Sequence, residues 1–271
     1  ANVSREHSWS RGQGVSLRYT FGSLNQARRL AAAPRGAGRA PYAFDRSCIT
    51  HMSMSYLSLI VVTMVIGMGA SWYVNRQINK YLHVPASTRV TGAQMAEVML
   101  AANGVHGVQV YRGGPQQDHF DPRSNSITLD PDAFGGTSIT AIATACHEAG
   151  HAIQFAQGYA PMKVRGALVP AVNFASNAWV FLLMFGIFMQ LSGLTTLAII
   201  MYAVVVLFQL VTLPVEFDAS RRGLAYLKTQ GISQAEQGGA YSVLRACALT
   251  YVAAALTSIL QLLWLLQSRD E

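Results

Sequence analysis

The chain has 271 residues, enough for one domain or two small ones, yet 51% of them are hydrophobic and only 12% charged. Soluble domains carry about 25% charged residues, so an ordinary soluble globule is excluded and much of the surface is expected to face lipid. The net charge of +7 resembles a nucleic-acid footprint. However, eight of the twenty basic residues fall in 1–51, and the remainder is nearly neutral, with no basic run interleaved with aromatics. Nucleic-acid binding is therefore set aside.

Residues 1–51 are rich in Arg, Ser, Gly and Ala and contain only Glu6 and Asp45 as acids. They lack the apolar run of a secretory signal. The stretch reads as a disordered tail, an organellar transit peptide or a non-native extension, with the organised sequence starting at Met52 or Met54. Four apolar runs follow, at about 56–74, 168–191, 194–213 and 246–266. Each is close to the ~20 residues a helix needs to cross a bilayer. Ser192-Gly193 leaves almost no room between the middle two, which are expected to form a tight hairpin, and Pro214 is expected to close the third.

Two less apolar stretches, 76–167 and 214–245, lie between the runs. In the first, Thr91 to Asn103 has helical spacing and stops at Gly104. Val108–Tyr111 and Ser126–Leu129 read as short strands, the latter as an edge to which a substrate peptide adds or as a simple structural strand. Thr137 or Ser138 caps a helix reaching about Ala156, with Gly158 beyond it. In the second stretch a short helix runs from about Val215 to Thr229 and stops at Gly231. The fold class predicted is mainly α and integral to the membrane, with four transmembrane helices and a small α+β insert.

The helix expected to end near Ala156 contains His147-Glu148-Ala149-Gly150-His151, an HExxH sequence. Spacing of i and i+4 puts both imidazoles on one face, where they can hold one Zn²⁺, and Glu148 projects beside it as a general base. The cysteines (Cys48, Cys146, Cys247) form no CxxC pair, so they supply neither a disulfide framework nor a cysteine zinc site. Cys146 is read as a small buried residue.

Zinc needs a third protein ligand and an open position for water. His is absent at position 157, which excludes the extended HExxHxxGxxH class. Residues 152–215 hold no Asp, Glu, His or Cys, so Glu216 is the first candidate downstream and Asp218 the next. The long gap is filled by the hairpin, since two crossings return the chain to the face it left. Asp218 is a candidate acceptor for a ligand His N–H. Arg221 and Arg222 are candidates for holding a substrate carboxylate, for pairing with Asp218, or simply for marking the inner membrane face. His119 is an outside candidate ligand and otherwise a surface-turn residue. Tyr241 and Tyr251 are the candidate oxyanion donors.

From Tyr56 onward the chain resembles the YugP-like family of neutral zinc metallopeptidases. The resemblance rests on Asp121-Pro-Arg-Ser, on Ala145 to Gln154, on Leu168-Val-Pro-Ala-Val-Asn-Phe, on Leu249 to Ala255 and, most specifically, on Phe208 to Arg222. It implies one zinc per chain held by His147, His151 and Glu216, with Glu148 as base, and a peptide or membrane-protein substrate. More distantly the chain is similar to HtpX-like membrane proteases and CAAX prenyl proteases. In those, an Asp follows the ligand Glu by four residues; here that position is Ser220. Residues 1–51 match nothing in the family.

Basic residues flank both chemistry-bearing stretches, while the hairpin turn has no charge. The positive-inside rule therefore places those stretches in the cytoplasm, or in an organellar matrix or stroma if 1–51 is a transit peptide. Two other function classes are weighed. A metal-binding scaffold or pseudoprotease would not need Glu148, and a transporter lined by Asn173, Ser176 and Asn177 would be expected to bear charged groups inside its apolar runs.

Overall fold

Among the described residues, four helices are long and apolar enough to cross a membrane. In the computed structural model, which describes residues 46–270, they are α1 (Arg46–Leu82, apolar from Ser55), α5 (Ala160–Phe188), α6 (Ser192–Thr229) and α7 (Gln234–Asp270). The expected tail lies outside the described residues as far as 45, and α1 has already begun at Arg46. Between α1 and α5 come α2 (Gly92–Ala102), β1 (Gln109–Arg112), β2 (His119–Asp121), β3 (Ser126–Leu129), α3 (Pro131–Gly135) and α4 (Ile139–Ala156).

The helices overrun the apolar runs that announced them. At ~1.5 Å per residue the 38 residues of α6 span ~57 Å, against a hydrocarbon core of ~30 Å. The expected stop at Pro214 does not occur; α6 runs through it without a break. Proline removes one backbone donor, and tight packing against α4, α5 and α7 holds the rest of the helix in register. The consequence is functional, because the same rigid rod that crosses the apolar zone carries Glu216 beyond it. The tight connection between α5 and α6 is as expected. α7 starts at Gln234, well before its apolar run. Its start is fixed by a capping box in which Ser233 Oγ accepts from Glu236 N (3.3 Å) and Glu236 Oε2 accepts from Ser233 N (2.7 Å). Glu236 also accepts from Ser87 N and Ser87 Oγ, which ties α7 to the loop after α1.

The local signals before α4 are obeyed closely. Thr91 and Gln94 form a reciprocal capping box on α2, and Ser138 Oγ accepts from Ala141 N at the start of α4. The three strands form one sheet in the order β1-β3-β2, with β1 parallel and β2 antiparallel to β3. Of the two roles expected for Ser126–Leu129, this excludes the edge and leaves the structural strand. It is the central strand, paired on both sides, with Ile127 and Leu129 fully buried, so no peptide can add to it. β2 lay unrecognised in what reads as a polar turn.

The main hydrophobic core unites α2, β3, α4 and the first turns of α7, with Met95, Met99, Ile127, Ile142, Ile153 and Val243 among its members. α4 is buried on nearly every face. It crosses α6 at very close range, and two glycines make this approach possible. A Cβ on Gly150 would stand 2.7 Å from the carbonyl oxygen of Ala219, and one on Gly223 would stand 3.1 Å from the Cys146 backbone.

Candidate metal centre

α4 presents His147 and His151 on the face it turns toward α6, and α6 answers with Glu216. The Nε2 atoms of the histidines are 3.1 Å apart, and Glu216 Oε2 is 3.3 Å from the first and 3.5 Å from the second. A zinc with ligand bonds of ~2.0–2.2 Å in tetrahedral geometry needs donor atoms ~3.3–3.5 Å apart. The triangle has that size.

The hydrogen bonds around the triangle fix which atoms face inward. Gln154 Nε2 donates to the Val215 carbonyl (2.8 Å) and to Asp218 Oδ2 (2.9 Å). Its Oε1 is thereby turned to His151 Nδ1 at 3.1 Å, so that Nδ1 carries the proton and Nε2 offers a lone pair. Ser220 Oγ stands 3.1 Å from His147 Nδ1 and can play the same part. Three acceptor atoms then converge, and Glu216 Oε2 is buried without a hydrogen-bond donor. An orphaned carboxylate oxygen facing two imidazole lone pairs is repulsive unless a cation lies between them. The donor set therefore fits zinc: two nitrogens and one carboxylate oxygen.

Glu148 is buried next to this cluster. Burial pushes its carboxyl up to about 7; the charges of Glu216 and Asp118 push the same way, while His147 and Arg165 oppose them. Asp118 is half-buried and accepts from Asp130 N at 2.8 Å. Burial, together with the nearby Asp130 carboxylate, raises it to about 6. Arg165, in the second turn of α5, places Nη1 3.9 Å from Glu216 Oε1. Tyr251 of α7 lies within electrostatic range of Glu216, Glu148 and Arg165.

Several sequence expectations change here. Asp218 does not accept from a ligand histidine. On a helix of 3.6 residues per turn, position 218 lies nearly opposite 216, while 220 lies almost on its face. Ser220 therefore takes the contact with His147, and Asp218 reaches His151 only through Gln154. Arg221 and Arg222 both pair with Asp218; Arg222 also donates to Gln157 Oε1 (2.7 Å). Arg221 lines a shallow pocket with Tyr159, Pro214 and Phe217 on the side of α6 turned away from Glu216. His119 sits exposed on β2, with Nδ1 2.9 Å from the Gln117 carbonyl, outside the ligand cluster. Tyr241 is half exposed on α7, whereas Tyr251 lies within electrostatic range of Glu216 and Glu148. Gln154, Arg165 and Asp118 escaped the sequence reading. Gln154 had a usable signal, since it follows His151 by three residues on the same helix face. Cys146 is wholly buried, and desolvation lifts its thiol far above the usual range, as expected of an inert packing residue.

A buried His₂Glu cluster with an adjacent buried carboxylate, on a frame of long apolar helices, is the arrangement that a membrane-associated zinc peptidase would need. The chain belongs to the family described as "Putative neutral zinc metallopeptidase", whose model matches residues 56–269. It is 38% identical to "Putative membrane protease YugP" of Bacillus subtilis (strain 168) over 224 residues, covering 80% of this chain and all of that protein. No solved structure matches the chain.

Proposed function

We propose that this protein is a membrane-bound zinc endopeptidase with a zincin-like site, in which His147, His151 and Glu216 hold one Zn²⁺ and Glu148 is the general base. The observation that carries the reading is the convergence of two imidazole nitrogens and one orphaned carboxylate oxygen within 3.1–3.5 Å, next to a buried carboxyl. When bound there, zinc lowers the pKa of a water to about 7 and polarises a carbonyl.

The protein's own residues supply the rest. Glu148 takes a proton from the attacking water and later gives it to the departing amine, a double duty suited to a carboxyl that burial raises above the usual carboxylate range. Gln154 and Ser220 keep the histidines in the ligating tautomer. The substrate is a polypeptide or the membrane-near segment of a membrane protein. The basic residues Arg76, Lys80, Arg89, Lys163, Arg165 and Lys228 stand at or just beyond the ends of α1, α5 and α6 that adjoin the chemistry-bearing stretches, which supports a cytoplasmic (or matrix or stromal) location for the site.

The test is purification of the full chain in detergent with zinc, followed by an assay on unfolded casein for wild type and Glu148→Gln. Cleavage by the wild type and its loss in the variant, with zinc retained in both, is the expected result. Equal or absent cleavage in both zinc-loaded proteins would instead favour a metal-binding scaffold.

A further inference from the structure

Of the charged groups around the ligand triangle, Arg165 has no assigned part. Its Nη1 lies 3.9 Å from Glu216 Oε1, beyond hydrogen-bond reach, while the other oxygen of Glu216 faces the two histidines. Among the described residues its guanidinium makes neither a hydrogen bond nor another ion pair, so its donors are uncommitted. Arg221 and Arg222, by contrast, are both tied to Asp218. Exposure also separates Arg165 from the ligands. Its side chain is 30% exposed, against 13% and 8% for His147 and His151 and 2% for Glu216. Arg165 is thus the most exposed of the charged side chains within 4 Å of the ligand triangle, and its guanidinium is accessible to a group that approaches the cluster from outside.

Resting on the peptidase reading above, we propose that Arg165 receives the negative charge that the scissile carbonyl oxygen acquires during hydrolysis. Two neutral imidazoles and one carboxylate leave a divalent ion with one unit of positive charge; ionised Glu148 balances it, and Arg165 restores a positive excess. A ground-state peptide carbonyl is uncharged and gains little from this excess. The gain comes as charge develops, which is the condition for lowering the barrier rather than merely binding substrate. As the water oxygen bonds to the carbonyl carbon, Glu148 takes its proton and the C=O π pair moves onto oxygen. Arg165 N–H donates to that oxyanion. When the pair returns, the C–N bond breaks and the proton on Glu148 passes to the leaving amine. Arg165 stands in the second turn of α5, packed against α6, so it is held by the helix pair that also carries Glu216.

The competing role for Arg165 is to hold Glu216 in place, and the two roles move zinc affinity in opposite directions. The experiment uses the full chain in detergent, as wild type, Arg165→Gln and Arg165→Lys, measuring zinc affinity by chelator competition and kcat and KM on an internally quenched peptide. In Arg165→Gln, kcat falls on the order of 10²–10³-fold with KM nearly unchanged. Zinc affinity stays level or rises, because a cation beside the ion's ligand has been removed. Arg165→Lys, which keeps the charge without the planar fork, recovers part of kcat. An unchanged kcat, a rise in KM alone, or a loss of about tenfold or more in zinc affinity would each overturn the assignment. Zinc-loaded wild type without Glu148-dependent cleavage would sink the peptidase reading itself, and the Arg165 role with it. A cleaving enzyme indifferent to Arg165→Gln would sink only the latter.

Discussion

Replacing Gly150 by alanine tests whether the α4–α6 crossing sets the metal geometry. The new Cβ would lie 2.7 Å from the Ala219 carbonyl oxygen and 3.1 Å from its Cα, where ordinary contacts begin near 3.4 Å. Both obstacles are backbone, so no rotamer change relieves them, and α6 must retreat by about 0.7 Å to restore contact distance. Glu216 is less than one turn from Ala219 on the same rigid helix and retreats with it. Metal and catalytic sites tolerate displacements of only ~0.5 Å. Overpacking of this kind costs about 1–3 kcal/mol, which for a chain of this size lowers Tm by roughly 2–10 °C. Zinc affinity should fall by about 10–100-fold. The assays are thermal unfolding in detergent and chelator competition, with Gly238→Ala as control. That glycine is exposed in α7, and a Cβ added there would meet nothing within 4 Å, so alanine gains up to ~1 kcal/mol of helix propensity. A Gly150→Ala protein that melts and binds zinc like the wild type would refute the claim that close helix approach positions Glu216.

Three further outcomes are expected. Glu148 must be ionised to accept a proton, and burial raises it from 4.5 to about 7 while bound zinc pulls it back. The acid limb of kcat/KM should therefore lie between those values, with activity lost as pH falls through it; a limb well below 4.5 would contradict the assignment. Gln154→Ala strips His151 Nδ1 of its acceptor and removes the amide that ties this histidine to the Val215 carbonyl and to Asp218, which keeps only its arginine partners. Zinc affinity should drop by about 10–100-fold, and undiminished affinity by chelator competition would show that Gln154 does not orient the ligand. Glu236→Ala removes the acceptor for Ser87 N, Ser87 Oγ and Ser233 N. It should destabilise the protein by about 2–3 kcal/mol with zinc stoichiometry still at one, and an unshifted melting curve would argue against the α7 cap as a structural tie.

What the sequence determined by itself are the features set by neighbours along the chain. Helix start signals such as Thr91 and Ser138 act over one turn, and HExxH puts two imidazoles on one face by the helix repeat alone. The four apolar runs report the solvent each helix meets, and the lack of any other liganding residue before Glu216 pointed to the third donor. Tertiary structure decided whatever depends on which face meets which. Only the phase of α6, continuous through Pro214, shows that Ser220 rather than Asp218 reaches a ligand histidine. Only the sheet order makes Ser126–Leu129 a central strand. Gln154, Asp118 and Arg165 become part of the site through packing between segments up to 64 residues apart, and no local pattern records such packing. The HExxH residues were legible because one helix repeat fixes their mutual geometry, whereas the charges that surround them are placed by the crossing of α4, α5 and α6.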